Sequence, residues 1–477
     1  MKKTGDEYFD SEEFRELLAE YEDAVNMGMP VFMDADELSE IADYYQMTER
    51  FDEADEAINL ALSLAPGAIA PLTYKIHEAL WNGNTDEAKD YLEQITETDE
   101  PDYVYDKAEI MLAEERVEEA DRYLREEFKK VPPEEYQDYV IDVANIYADY
   151  NYPEKAMQWM ARAQQEDSPE FKELLARTLF GLGKYKDSEK LWGELIDVDP
   201  FSKHYWNALA NTQFMNENYS GSVESSEYAI AIDPDDPEGL LSKANGLYRL
   251  GNYEEALDYF QRYSEHLPDD EFGLMCQGMC LVNLERSAEA IVILHKAADT
   301  APHDSPYLSD IFQELAFAYS DKNDEKKALE MLDMADLYDS DKVQTLVVRG
   351  HILLSSGNIK EAQRYFQKAV VMSEDPNQTL LRIIVSVYDN HYLEAAYNLF
   401  KKYFRLIGKD YSDGYAYMAL CCYDLKYYDE FLSYLKDACS RNPAECKSAL
   451  GHIFPENIEP KDYYDYIHDK MNGTAPS

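Results

Sequence analysis

The sequence predicts an all-α chain built as a stack of helical hairpins, and three observations carry that prediction. One short pattern returns about every 34 residues, as in NGNTDEAKDYL (82–92), LGKYKDSEKLW (182–192), LGNYEEALDYF (250–260) and SGNIKEAQRYF (356–366). Between its occurrences, apolar residues recur at intervals of three and four, as in Leu240, Leu241, Ala244, Leu247 and Tyr248, which is the period of a helix with one buried face. Glycine, asparagine and proline then fall at fixed offsets from the pattern, where helices stop.

The register is set by the small residue that follows the acidic pair. It gives the markers Ala54, Ala88, Ala120, Ala156, Ser188, Ser222, Ala256, Ala290, Ala328, Ala362, Ala395 and Phe431, at spacings of 34, 32, 36, 32, 34, 34, 34, 38, 34, 33 and 36. Self-similarity at a fixed period of this size is the signature of a repeat architecture. Twelve residues before the marker stands a crossing site, where Ala or Gly allows two helices to approach at van der Waals distance. Its occupants are Ala42, Ala108, Ala144, Ala176, Ala210, Ala244, Gly278, Ala316, Gly350 and Ala419. Five residues before the marker stand Gly83, Gly183, Gly251 and Gly357, with Asn151, Asn323 and Asn390 as substitutes, residue types that suit a left-handed helix end. Twelve residues after it come Pro66, Pro132, Pro200, Pro234, Pro268, Pro302 and Pro443, each preventing the second helix from continuing.

These position classes resemble the tetratricopeptide repeat, over about residues 35–445. The resemblance implies a superhelical solenoid of antiparallel helix pairs with an inner, concave groove; periodicity alone implies only stacked hairpins. The departures are local. Phe431 fills the last marker, Ile76 and Ile383 fill the crossing site in the units of Ala88 and Ala395, and four extra residues near 300–308 leave the curvature there open. Twelve units are expected, cut at about 68, 100, 136, 168, 202, 236, 270, 308, 342, 375 and 411. Residues 1–34 read as an N-terminal cap, with capping boxes at Asp10/Glu13 and Asp34/Glu37. Residues 446–477 read as a C-terminal cap, with short helices at 444–454 and 462–471 and a frayed tail from 472. No segment is left over for a catalytic domain.

Composition narrows the function. The 477 residues carry 97 Asp+Glu against 44 Lys+Arg, a formal charge of −53, and 45% are hydrophobic, with 40 tyrosines. That is too apolar for a disordered acidic chain, and too negative for binding nucleic acid or an anionic membrane surface. No run of 18 apolar residues occurs and no apolar segment follows the first lysines, so a soluble cytoplasmic protein is expected, with a composition that suits a bacterial source. No dinucleotide fingerprint, phosphate loop, zinc-protease helix or nucleophile elbow is present. The chain is therefore read as no enzyme, with no cofactor and no metal. Cys276 and Cys280 share a helix face, but no second Cys or His pair lies near them in sequence, so they read as packed thiols.

The acidity has two readings. Residues 1–150 hold 42 acidic against 12 basic side chains. Many acids stand where helices start and the macrodipole favours negative charge: Asp52-Glu53, Asp86-Glu87, Glu118-Glu119, Glu254-Glu255 and Asp429-Glu430 in second helices, and Asp36, Asp102, Asp138, Glu170, Glu238, Asp310 and Asp413 in first helices. Solvated helix starts are one reading. The other is a negative flank, with Asp36, Asp43, Asp102, Glu109 and Asp138, that steers a basic partner.

In the family that the chain resembles, the residue after the crossing site lines the groove. Here it is Asp43, His77, Glu109, Asn145, Arg177, Asn211, Asn245, Met279, Phe317, His351, Ile384 and Leu420 in turn. The central run, Asn145, Arg177, Asn211 and Asn245, with Asn207 one turn earlier, suits an extended peptide whose backbone a carboxamide can both donate to and accept from; asparagine is also simply common at that site. The later run, with Met279 and Phe317, is either an apolar groove for a partner helix or packing between helices. The clamp by which chaperone-binding relatives hold an acidic C-terminus is absent, since Ile141, Asn207 and Leu241 stand where lysine is needed. The sequence thus points to a non-enzymatic scaffold or adaptor for a basic or extended protein partner. The alternatives are a regulatory receptor for a signalling peptide or small ligand, and an acidic escort for a basic client.

Overall fold

Buried small residues set the spacing of the helices. In the computed structural model, which describes residues 6–9, 11–48, 50–163, 168–338, 342–408, 411–455 and 458–472, the elements are helical and no strand occurs among the described residues. Consecutive helices pair as hairpins: Ala35–Met47 with Phe51–Leu64, Pro237–Arg249 with Tyr253–His266, Leu308–Asp321 with Glu325–Tyr338, and likewise to Tyr415–Asp424 with Tyr428–Arg441. The chain divides into two compact units, Met1–Leu191 and Trp192–Ser477. No helix among the described residues is long and apolar enough to cross a membrane.

Eleven of the twelve markers have no exposed surface, Phe431 included. The exception is Ala395, which is exposed while Ala396 is fully buried. The marker there is Ala396, and the spacings around it become 34 and 35. One residue turns a helical side chain by about 100°, so this slip has consequences. The left-handed residue is His391 (φ 63°) rather than Asn390. The crossing site is taken by Ile384, 3% exposed, which therefore packs between helices instead of facing the groove.

Five residues before the marker, the backbone is left-handed in every described unit. Gly83, Gly183, Gly251 and Gly357 have φ of 68–82°, but Asn151, Asn323, Glu115, Glu217, Glu285 and Lys426 hold φ of 57–64° at the same place. The repeat keeps the turn and tolerates a strained side chain, a cost of about 1 kcal/mol. Glycine is required at two crossing sites instead: a Cβ on Gly278 would lie 2.3 Å from Leu294, and one on Gly350 2.3 Å from Phe366.

The ends and the insertion follow local hydrogen bonding. Asp34 and Glu37 form the expected capping box, both bonds at 2.9 Å. Asp10 lies outside the described residues, and the helix Glu12–Asn26 is capped by Ser11 Oγ, which accepts from the Phe14 amide at 3.2 Å. After Ala301, the Ser305 hydroxyl donates to Glu271 at 3.0 Å and accepts from the Tyr307 amide at 3.2 Å, folding the inserted residues into a turn ahead of Leu308–Asp321. The C-terminal segment forms Pro443–Leu450 and Tyr463–Asn472. Residues 473–477 lie outside the described residues. The acidic residues read as helix starts open their helices, except Asp413: that helix begins at Tyr415 behind a left-handed Gly414, and Asp413 accepts a hydrogen bond from Asn442 at 3.0 Å.

Candidate functional site

In the first unit, successive first helices bring titratable groups together. Asp106, 1% exposed, accepts from Thr73 Oγ1 at 2.7 Å and lies 3.3 Å from His77 Nε2. Glu109, one turn further along Pro101–Ala113, lies 3.4 Å from the same nitrogen and accepts from the Tyr150 hydroxyl at 3.4 Å. Burial works to lower the His77 pKa, but the hydrogen bond to Asp106 and the charges of Glu109, Asp106 and Asp43 outweigh it and hold the imidazole up at about 9. Burial raises Glu109 to about 7 despite the pull of His77. The cluster therefore carries a proton that is exchangeable near neutral pH, inside an acidic surround.

Beside it, a cleft of about 800 Å³ opens between Pro101–Ala113, Val117–Phe128 and Tyr136–Asp149, lined by Tyr103, Tyr105, Tyr123 and Tyr139 with Asp138 and Asp142. Tyr105 donates to Asp142 at 3.1 Å, and the Lys107 ammonium stands 4.8 Å from the Tyr123 ring centroid. Of the expected acidic flank, Asp138 lines this cleft, Glu109 belongs to the histidine cluster, and Asp36, Asp43 and Asp102 are exposed along their helices. Asn145 is half-buried, and Arg177 bonds to Asp149.

In the second unit one stretch of the inner positions is apolar. Met275, Met279, Phe317, Val347 and Val348, from three successive first helices, line a cavity of about 430 Å³ together with Asp310, Glu314 and Arg382. The structure thus brings Met279 and Phe317 into one pocket. Burial, with Asp310 nearby, raises the Glu314 carboxyl to about 7. Phe317 packs edge-on against His351 at 5.4 Å, and burial pushes that imidazole down to about 4 while Ser386 Oγ lies 3.0 Å from its Nδ1.

The asparagines divide by role. Asn207 is 2% exposed, and its Nδ2 donates to Asp236 at 2.6 Å and Glu238 at 3.3 Å, tying Lys203–Met215 to the start of Pro237–Arg249. Its amide nitrogen is thus taken up by the framework, while its buried Oδ1 has no hydrogen-bond partner among the described residues. Asn211 is exposed and Asn245 half-buried. Asn145 and Arg177 belong to the first unit, Asn211 and Asn245 to the second.

The sequence reading missed Asp106, Asp142 and Glu314. All three stand two residues before a crossing alanine (Ala108, Ala144 and Ala316), whereas only the residue after it was considered. An acid at that offset, inside an otherwise apolar stretch, is the signal that would have found them.

Two family profiles described as tetratricopeptide repeat match the chain, at residues 174–237 and 343–376. No curated protein matches it. Among solved structures, similar chains include YrrB, titled a TPR protein with an unusual peptide-binding site, at 21% identity over 41% of this chain and 95% of that one, TM-score 0.33. A tetratricopeptide repeat protein from Parabacteroides merdae is 14% identical over 51% and 95%, TM-score 0.44. Pseudomonas aeruginosa pilF is 16% identical over 42% and 89%, TM-score 0.35. With the hairpin, its buried markers and its left-handed turn recurring along the described residues on either side of both matched segments, the chain is a tetratricopeptide-repeat protein.

Proposed function

We propose that this protein is a non-enzymatic scaffold that holds a partner polypeptide on the inner faces of its first helices. The observation that carries the reading is the pocket of Met275, Met279, Phe317, Val347 and Val348. Buried apolar area is the main source of affinity in a partner groove, and methionine adapts to varied side chains. Glu314 at its wall favours a cationic group next to the apolar anchor. In the first unit, the acidic cleft and the Asp106–Glu109 cluster favour basic segments, and the exposed Asn211 with the half-buried Asn245 suits bonding to an extended backbone in the second.

Affinity capture from native lysate at low and high salt, with partners identified by mass spectrometry, tests this. Anchoring in the apolar pocket predicts a short set of partners that persists at high salt, because screening acts on exposed charges and not on buried apolar contact. Loss of every partner in high salt refutes the anchor and leaves charge alone as the binding force.

The tyrosine-lined cleft favours a second reading, reception of a small ligand. Its volume of about 800 Å³ falls in the range of small-molecule sites, about 300–1,000 Å³. Compaction in solution scattering on adding a ligand, with no protein partner present, would distinguish it.

A further inference from the structure

Two cysteines near the C-terminus are placed unlike the other four. Cys439 lies near the end of Tyr428–Arg441 and Cys446 in Pro443–Leu450, and their sulfurs are 3.4 Å apart across the turn at Asn442. Cys446 is fully buried, while Cys439 is half-buried. From these contacts the geometry points to an oxidisable dithiol: Cys439 is the attacking thiol and Cys446 the resolving one, and together they close a reversible disulfide that staples the helix Pro443–Leu450 to the hairpin before it.

The chemistry is thiol–disulfide exchange with a small disulfide such as oxidised glutathione. The Cys439 thiolate attacks one sulfur of the reagent and expels the first thiolate, leaving a mixed disulfide. Cys446, losing its proton, attacks the Cys439 sulfur and expels the second. The protein gives up two electrons and two protons, and the reagent is reduced to two thiols. Consistent with this assignment, the hydrogen bond from Cys446 lowers the Cys439 pKa and the same bond raises that of Cys446. Cys280, Cys421 and Cys422 are pushed up to about 12 by burial, and Cys276 is raised by burial as well, which disfavours their thiolates.

The staple has a structural consequence. Glu445, beside Cys446, accepts from the amides of Gly414 at 2.7 Å and Ala416 at 3.2 Å, capping the helix Tyr415–Asp424. The same turn, with Arg441, Pro443 and Lys447, lines a cleft of about 850 Å³ across from Asn216, Tyr219 and Arg249 of the same unit. Closing the disulfide fixes that wall and holds Glu445 on its cap.

The full-length chain is incubated with oxidised glutathione, and free thiols are counted after denaturation and mapped by alkylation and mass spectrometry. The expected result is a fall from the six thiols of the sequence to four, with Cys439 and Cys446 in one bridge that dithiothreitol reverses. Cys446→Ser should accumulate a glutathione adduct on Cys439. If that variant does not fold, Cys439→Ser, at a half-buried position, should abolish both adduct and bridge. Amide exchange at Gly414 and Ala416 should slow at least tenfold in the oxidised protein. Six free thiols after oxidation, a first adduct on any other cysteine, or a stable Cys439 adduct in the wild type without a bridge each overturn the dithiol. Unchanged exchange in a bridged protein overturns the staple.

Discussion

In the first unit the inner positions beside the crossing sites hold Asp106, Glu109 and Asp142; in the second, the corresponding offsets hold Cys276, Met279, Glu314, Phe317 and Val348. The two units are built by the same hairpin rule, yet one assembles an imidazole–carboxylate cluster and the other an apolar pocket. Charge follows the same division: the first unit has 49 acidic and 19 basic residues in 191 positions, the second 48 and 25 in 286. The lesson is that the packing residues of a repeat and its inner-face residues vary independently: in most units the crossing site holds a small side chain while the positions beside it admit an acid, a thiol or an apolar group. The histidines show it most sharply. His77 is held up at about 9 by carboxylates, whereas His351, beside Phe317 and without a carboxylate partner among the described residues, is driven down to about 4.

The sharpest way to break this contrast is to charge the apolar side. Met279→Asp with Phe317→Asp should remove about 2–4 kcal/mol of partner affinity and abolish retention at high salt, while circular dichroism stays unchanged because both side chains are only half-buried. Retention of the partner by this double variant would place the anchor elsewhere.

Next comes Asn207→Ala. It removes one hydrogen bond from the buried carboxylate of Asp236, which keeps the Gly239 amide at 2.9 Å and the Lys203 ammonium at 3.3 Å, and should lower the stability of the second unit by about 1 kcal/mol in chemical denaturation. Partner affinity should be unaffected, which separates this framework asparagine from those on the groove.

Asn211→Ala with Asn245→Ala should behave the other way. Each carboxamide contributes about 1 kcal/mol if it bonds a peptide backbone, so affinity falls while the denaturation midpoint holds. Unchanged affinity would sink the idea of a peptide-binding ladder.

The smallest effects are in pH dependence, and they have opposite signs. The folded-state pKa of His77 is raised, so its stabilisation is complete below about pH 6.5 and is lost as pH rises through about 9. That of His351 is depressed, so its contribution is present above about pH 6.5 and is lost as pH falls towards about 4. The His77 side chain is 51% exposed, and solvent screening keeps its effect below about 1 kcal/mol. Histidine NMR titration checks both assignments directly. Two midpoints near the ordinary value would remove the electrostatic contrast between the units.

The helical pairs, their period and their turns were readable in advance because each rests on local rules: apolar residues at three and four, small residues where helices cross, prolines after the second helix. The single slip in that register came at Ala395-Ala396, where two alanines stand side by side and composition offers no choice between them. Burial does, since only Ala396 lies between helices. The left-handed turn shows a similar limit. Glutamate or lysine occupies it in four units, and no local preference announces a lysine there.

The inner faces were only partly readable. Met279 and Phe317 were found because their offset from the crossing site is fixed, but Glu314 and Asp106 were not, since their inward direction depends on how the next hairpin packs. Asn207 and Asn211 are one helical turn apart and look alike in sequence, yet one bonds across to Asp236 and the other is exposed. The period of the amino-acid pattern specifies which residues lie between helices, because burial of apolar surface repeats with the chain. Which polar residues meet across neighbouring repeats, and which thiols do, is set by contacts 28 to 38 residues apart or across a turn, and such contacts exist only once the hairpins have stacked.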